Sequence, residues 1–190
     1  MPRSLDLKCP ICGNDRWFTI LRTHGFDLDQ CTERCIVRTI PPPKYTPDLP
    51  EGVGVEDLLS DQYSGHLVLA KEVMDLVGEI RPSGKLLDIG SGWGHLLKLA
   101  VDRGYDAVGL EASPGAAELS RQAFGVDVIE GSFPEHQFQP GAFDIVVMNH
   151  LLEHLEDPVR ALSEAQRILK PAGILALGVP NFESLMSRVK

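Results

Sequence analysis

No window of the chain approaches the 18 consecutive apolar residues of a membrane helix, which excludes a helical span. The opening residues, MPRSLDLKCP, contain no apolar core of a secretory leader, so the expected compartment is the cytoplasm. Cysteine disappears after residue 35. Basic charge is in deficit, with 18 Lys and Arg against 27 Asp and Glu and a net charge of −9. That deficit is uneven: residues 1–50 balance at +1, residues 51–190 at −10. A surface so acidic repels phosphate backbones, which makes the larger part a poor nucleic-acid binder. No internal repeat or low-complexity tract is present.

What cysteine there is has a pattern. Cys9-x2-Cys12, eighteen residues, then Cys31-x3-Cys35 is the spacing of a four-thiolate zinc ribbon. Gly13, directly after Cys12, supplies the residue that a tight knuckle turn needs. Disulfides are the rival reading, and a reducing cytosol disfavours them. A closed four-cysteine site has no open coordination position, so its role is structural. The segment TIPPPKYTPDLPEG (39–52) tolerates neither helix nor central strand. The expected organisation is therefore a zinc-ribbon-like module over 1–40, a proline-rich linker over 41–60 and a third region over 61–190.

From residue 61 the texture alternates. YSGHLVLAKEVMDLVGEI (63–80) places Leu67, Ala70, Val73, Met74, Val77 and Ile80 on one helical face. Strands are expected at 85–89, 106–112, 126–131, 142–149 and 174–180. Between them lie helices closed by Gly104, opened by Ser113-Pro114, and opened by Asp157-Pro158. Strand and helix repeated at this spacing give right-handed crossovers and a parallel sheet covered on both faces. The fold class is α/β, a doubly wound Rossmann-like parallel sheet with a small N-terminal four-cysteine module.

The stretch LLDIGSGWGHLL (86–97) has three glycines on alternate residues between the first strand and its helix. In a doubly wound sheet, ligands bind beyond the carboxyl ends of the strands, and bare backbone at that turn admits a ligand to contact distance. The dinucleotide fingerprint G-x-G-x-x-G fails, because its third glycine would fall on His95. What stands is G-x-G-x-G, with Asp88 two residues upstream. Glu111, at the end of the second strand, suits a carboxylate accepting two ribose hydroxyls.

Together, LLDIGSGWG, VGLEAS, FDIVVMNHLLEHLEDP and ILKPAGIL resemble the class I S-adenosylmethionine-dependent methyltransferases, close to the type 11/12 group of small-molecule enzymes. The resemblance covers roughly residues 60–182. It implies that Gly90, Gly92 and Gly94 line the methionine part of S-adenosyl-L-methionine. Asp88 would order the turn and contact the cofactor's amino end, and Glu111 would bind the ribose. Ser132 and Phe133 would flank the adenine. Asn149 and His150 would sit near the transferred methyl. Methyl transfer from a sulfonium is an in-line displacement in which the enzyme aligns the acceptor and excludes water.

A hydroxyl acceptor would need a base, and NHLLEHLED (149–157) offers His150, Glu153 and His154. Glu153 and His154 serve equally well as groups that hydrogen-bond the loop into place. HLLEH is not the zinc pattern H-E-x-x-H, and Asp157 reads as a helix cap. Tyr63 and His66 open the first helix, either as a plain amphipathic start or facing the pocket. Trp93 packs on the cofactor or covers the helix start.

Many bacterial small-molecule methyltransferases resemble this chain in carrying a zinc module first. Their second knuckle reads C-x2-C-G, one residue shorter than CTERCI. The first expectation is thus methyl transfer to a small molecule at a hydroxyl or carbon. An RNA methyltransferase with an RNA-binding ribbon ranks second, since basic residues near the cysteines, Arg34, Arg38 and Lys44 among them, are few and the main domain is acidic. A non-catalytic cofactor-binding fragment is third. The resembled fold has seven strands and five are read here, so the chain is expected to be a fragment.

Overall fold

The computed structural model describes residues 8–22, 27–33, 36–40, 54–60 and 64–181. Two units result, residues 1–45 with 180–190 and residues 46–179.

The smaller unit holds a three-stranded antiparallel sheet, β1 (Trp17–Arg22), β2 (Asp27–Cys31) and β3 (Val37–Ile40), in that order. These strands are too short and mixed to betray themselves by alternation. Cross-strand pairs hold them. The Arg38 guanidinium lies 3.9 Å from the Trp17 ring centroid and 3.5 Å from the Asp29 carboxylate, and Thr19 donates to Asp29 at 2.7 Å.

Residues 46–179 form the α/β unit. Within the stretch expected as linker, α1 (Val55–Leu58) is a helical turn, with the Gly54 N–H bonded to Asp57 Oδ2 at 2.7 Å and Leu58 buried. Helix α2 (Ser64–Ile80) follows and buries Ala70, Met74 and Val77. Leu67 and Ile80, expected on the same face, are exposed.

Then come β4 (Lys85–Ile89), α3 (His95–Asp102), β5 (Asp106–Glu111), α4 (Pro114–Phe124) and β6 (Val128–Glu130). β7 (Phe143–Asn149), α5 (Pro158–Ile168) and β8 (Leu169–Gly178) complete the described elements. Both expected caps are made. Ser113 Oγ accepts from the Ala116 N–H at 3.2 Å, and Asp157 Oδ1 from the Arg160 N–H at 2.9 Å.

All strand pairs in this sheet are parallel, in the order β6-β5-β4-β7-β8. The chain therefore winds outward from β4 to β6, then returns to build the other half from β7. Direction reverses between β4 and β7, so a crevice opens beyond their carboxyl ends.

Alternation along those two central strands feeds both faces. Leu87, Ile89, Val146 and Met148 pack with Ala161, Ala165 and Ile168 of α5. Leu86, Ile145 and Val147 pack with Met74 and Val77 of α2 and with Leu96 and Ala100 of α3. Continuous apolar sequence in β4 and β7 is what burial on both faces requires.

One boundary differs from expectation. β8 starts at Leu169, five residues earlier than the sequence suggests. Its pairing runs Phe143 with Leu169 and then Ile145 with Ile174, so residues 170–173 are spliced out of register. Pro171 has no N–H for a ladder, and Ala172 takes φ +61, so KPAG ends helix α5 and then bulges an edge strand. Among the described residues, no helix is long and apolar enough to cross a membrane.

Leu87 is fully buried at the centre of the sheet. Leu87→Ala is expected to cost about 2–5 kcal/mol, read as a lower urea midpoint at unchanged slope.

Candidate functional site

The crevice is occupied by the glycine turn. Gly90, Gly92 and Gly94 have φ of +71, +53 and +82, a left-handed backbone that side chains resist. At Gly94, the cap residue of α3, a Cβ would also lie 2.8 Å from the Ser120 Cβ. The turn lies over the tip of β5, where the Gly90 and Ser91 N–H groups both donate to the Leu110 carbonyl, at 2.8 and 3.2 Å.

Glu111 fixes the next link. The residue is 5% exposed, and its carboxylate accepts from the Gly92 N–H through Oε2 and the Ser113 N–H through Oε1, each at 2.8 Å. The side chain therefore clasps the turn to the start of α4. Each oxygen keeps a second acceptor direction for a ligand.

A cavity of about 440 Å³ lies against this turn, within the size range of small-molecule sites. Asp88, Gly90, Gly92, Gly94, Asn149 and His150 border it. So do His66, Trp93 and His95, whose rings sit 5.2–5.9 Å apart in the pairs His66–Trp93 and His66–His95. Glu111 stands behind Gly92 and is not on the cavity wall.

Asp88 is 3% exposed, and burial, with the negative charge of Glu111 added, pushes its carboxyl pKa up to about 7. Such a group is made comfortable by a cation. Ser91 Oγ is buried without a hydrogen-bond partner among the described residues. It fits only because position 109 is glycine, where a Cβ would lie 2.6 Å from that oxygen.

Ser132 is exposed and Phe133 is buried in the cluster with Leu87, Leu110 and Met148. Neither borders the cavity. The backbone there turns tightly, with the His136 N–H donating to the Ser132 carbonyl at 2.8 Å.

His150 follows β7 with φ +53, and Leu152–His154 is a short 3-10 turn. His150 and His154 thus do not share a helical face, which a continuous helix would have given them. His150 Nδ1 lies 3.5 Å from Glu153 Oε1, an ion-pair distance at the outer limit of a hydrogen bond. Of the three candidates in this segment, His150 alone borders the cavity.

His95 was not singled out by sequence except as the residue that breaks the dinucleotide fingerprint. Its Nε2 lies 3.3 Å from the Leu58 carbonyl. Burial lowers its pKa, the Leu58 bond opposes this, and His66 adds to the lowering. Tyr63 lies outside the described residues.

In the smaller unit, the thiols of Cys9, Cys12 and Cys31 all lie within 4.8 Å of one another, with Cys12 and Cys31 Sγ 3.7 Å apart. Two thiolates on one tetrahedral zinc stand about 3.8 Å apart, given Zn–S bonds of about 2.3 Å. Gly13 at φ +70 closes the first knuckle, where its N–H donates to the Cys9 carbonyl at 2.8 Å. Burial raises the Cys31 thiol pKa, but the Glu33 N–H, the Asn14 amide and the neighbouring thiols outweigh this and bring it to about 7. These three residues could hold a metal. Cys35 lies outside the described residues.

Residues 87–177 match the family model of a methyltransferase domain. Over these residues the α/β unit is similar to class I S-adenosylmethionine-dependent methyltransferase domains. A crystal structure of an S-adenosylmethionine-dependent methyltransferase from Thermotoga maritima is 30% identical, with a TM-score of 0.54 over 67% of this chain and 61% of that one. A ubiquinone biosynthesis O-methyltransferase of Pseudomonas aeruginosa is 34% identical over 103 residues, covering 51% of this chain and 44% of the relative. A demethylmenaquinone methyltransferase of Renibacterium salmoninarum is 32% identical over 106 residues, covering 55% and 44%. The chain spans less than half the length of both these relatives.

The raised pKa of Asp88 sets a pH dependence for this domain. A carboxyl ordinarily releases its proton near pH 4, and the folded domain holds this one until about pH 7. The ligand-free domain is thus stabilised by that proton at low pH and loses the benefit as pH rises from about 4 to 7. In thermal melts across that window, Asp88→Asn is expected to gain on the wild type as pH climbs. Equal gain at every pH would contradict the assignment.

Proposed function

We propose that the chain transfers the methyl group of S-adenosylmethionine to a small-molecule acceptor in the cytoplasm, and that Cys9, Cys12, Cys31 and Cys35 hold a structural zinc ion. The observation that carries the first part is the pair of buried acids flanking a bare turn: Asp88 beside the cavity and Glu111 behind Gly92.

When bound, S-adenosylmethionine supplies a methyl group on a sulfonium, which is already an activated leaving group. In this reading Asp88 faces the ammonium of the methionine end, where a cation restores its carboxylate. The side-chain-free backbone at Gly90, Gly92 and Gly94 admits the chain of the cofactor to contact distance. Glu111 receives the ribose hydroxyls through the acceptor directions left after its two backbone bonds. Ser132 and Phe133 flank the adenine, Ser132 by its exposed position after β6 and Phe133 as the packed floor.

Asn149 and His150 border the cavity and stand nearest the reacting methyl. If the acceptor is a hydroxyl, His150 accepts its proton, with Glu153 at 3.5 Å favouring the imidazolium that forms. His154 supports the turn that carries Glu153. The methyltransferase names of the curated relatives support a small-molecule acceptor.

The chain is expected to bind S-adenosylmethionine and not NAD in isothermal titration. Glu111→Gln, which keeps the shape and removes the charge, is expected to weaken that binding by about tenfold or more. Preference for NAD would overturn the assignment.

For the metal, elemental analysis of the purified chain is expected to find close to one zinc per molecule. Cys9→Ser and Cys31→Ser are each expected to abolish it.

A further inference from the structure

Gly178 ends β8 without a conformational reason for being glycine. Its φ is not in the left-handed region, and glycine inside a strand weakens it. The reason is space. A Cβ at this position would overlap Asn149 Oδ1 and lie 3.2 Å from Asn149 Cγ. Asn149 and Gly178 are direct partners across the β7–β8 ladder. The Asn149 carboxamide therefore lies over the bare α-carbon of its neighbour.

The same residue acts a second time. The Gly178 carbonyl accepts from the His150 N–H at 2.8 Å, at the residue whose φ is +53. A non-glycine residue in that conformation persists only where its surroundings hold it. Gly178 itself is not on the cavity wall, while Asn149 and His150 both are.

We propose that Gly178 is a positioning residue for the cofactor site. Its missing side chain sets where the Asn149 amide lies, and its carbonyl pins His150 at the mouth of the cavity. The proposal rests on the reading of the cavity as the S-adenosylmethionine site. A β-carbon at 178 would drive the Asn149 side chain off its neighbour and toward the space the ligand needs. The effect should travel through Asn149, because among the described residues no other side chain meets that Cβ so closely.

A double-mutant cycle tests this, read by isothermal titration with S-adenosylmethionine and by thermal melts. Gly178→Ala is expected to weaken binding about tenfold. In the Asn149→Ala background, where the overlap is gone, adding Gly178→Ala is expected to change affinity less than twofold. The double variant also keeps the proposal testable if Gly178→Ala alone unfolds, since it should then regain the fold. Unchanged affinity in Gly178→Ala, or an equal loss in both backgrounds, would overturn the proposal while leaving the cofactor reading intact. A wild-type chain that does not bind S-adenosylmethionine would overturn both.

Discussion

The clasp made by Glu111 is the constraint on which the rest of the site depends. One buried carboxylate ties the glycine turn after β4 to the first residues after β5, through the N–H groups of Gly92 and Ser113. A carboxylate with two backbone donors at 2.8 Å is strongly held, because both bonds are charge-assisted and little water competes. Without it, the described residues would hold the turn by the Leu110 carbonyl and by its own bond from the Gly94 N–H to the Ser91 carbonyl. The three left-handed glycines would then lose the geometry that keeps backbone exposed to a ligand.

That clasp also has an electrostatic cost, and the cost has a use. A negative charge on Glu111 next to a buried Asp88 raises the energy of ionising the second acid. The unliganded domain thus carries a carboxyl that is poorly accommodated as an anion. A cationic ligand relieves it. In the proposed function, cofactor recognition and stability of the domain are opposed at the same side chain, as expected where a site is arranged for a partner.

Much of this was legible in the sequence, for identifiable reasons. The central strands β4 and β7 are buried on both faces, and a buried parallel strand has to be an unbroken apolar run. Ser113 and Asp157 announced their helices because each cap stands directly before a proline. Asp88 and the glycines were readable because so few residues can occupy such a turn. What escaped were features set by close approach between distant segments. Gly178 looks like an ordinary strand residue until Asn149 is laid beside it. Gly109 likewise needs Ser91. The bulge at residues 170–173 was hidden because proline and glycine signal an end to the helix equally well whether a loop or an irregular strand follows. The strands of the small unit were missed because four to six residues of mixed polarity carry no period.

The central claim is that Glu111 can serve the turn and a ribose at once. A crystal structure of the chain with S-adenosylhomocysteine tests it most directly. The account predicts the ribose hydroxyls within hydrogen-bond distance of Glu111, with the bond from the Gly92 N–H still made. A nucleoside bound elsewhere, or a Glu111 carboxylate swung away from Gly92 to reach it, would contradict the account.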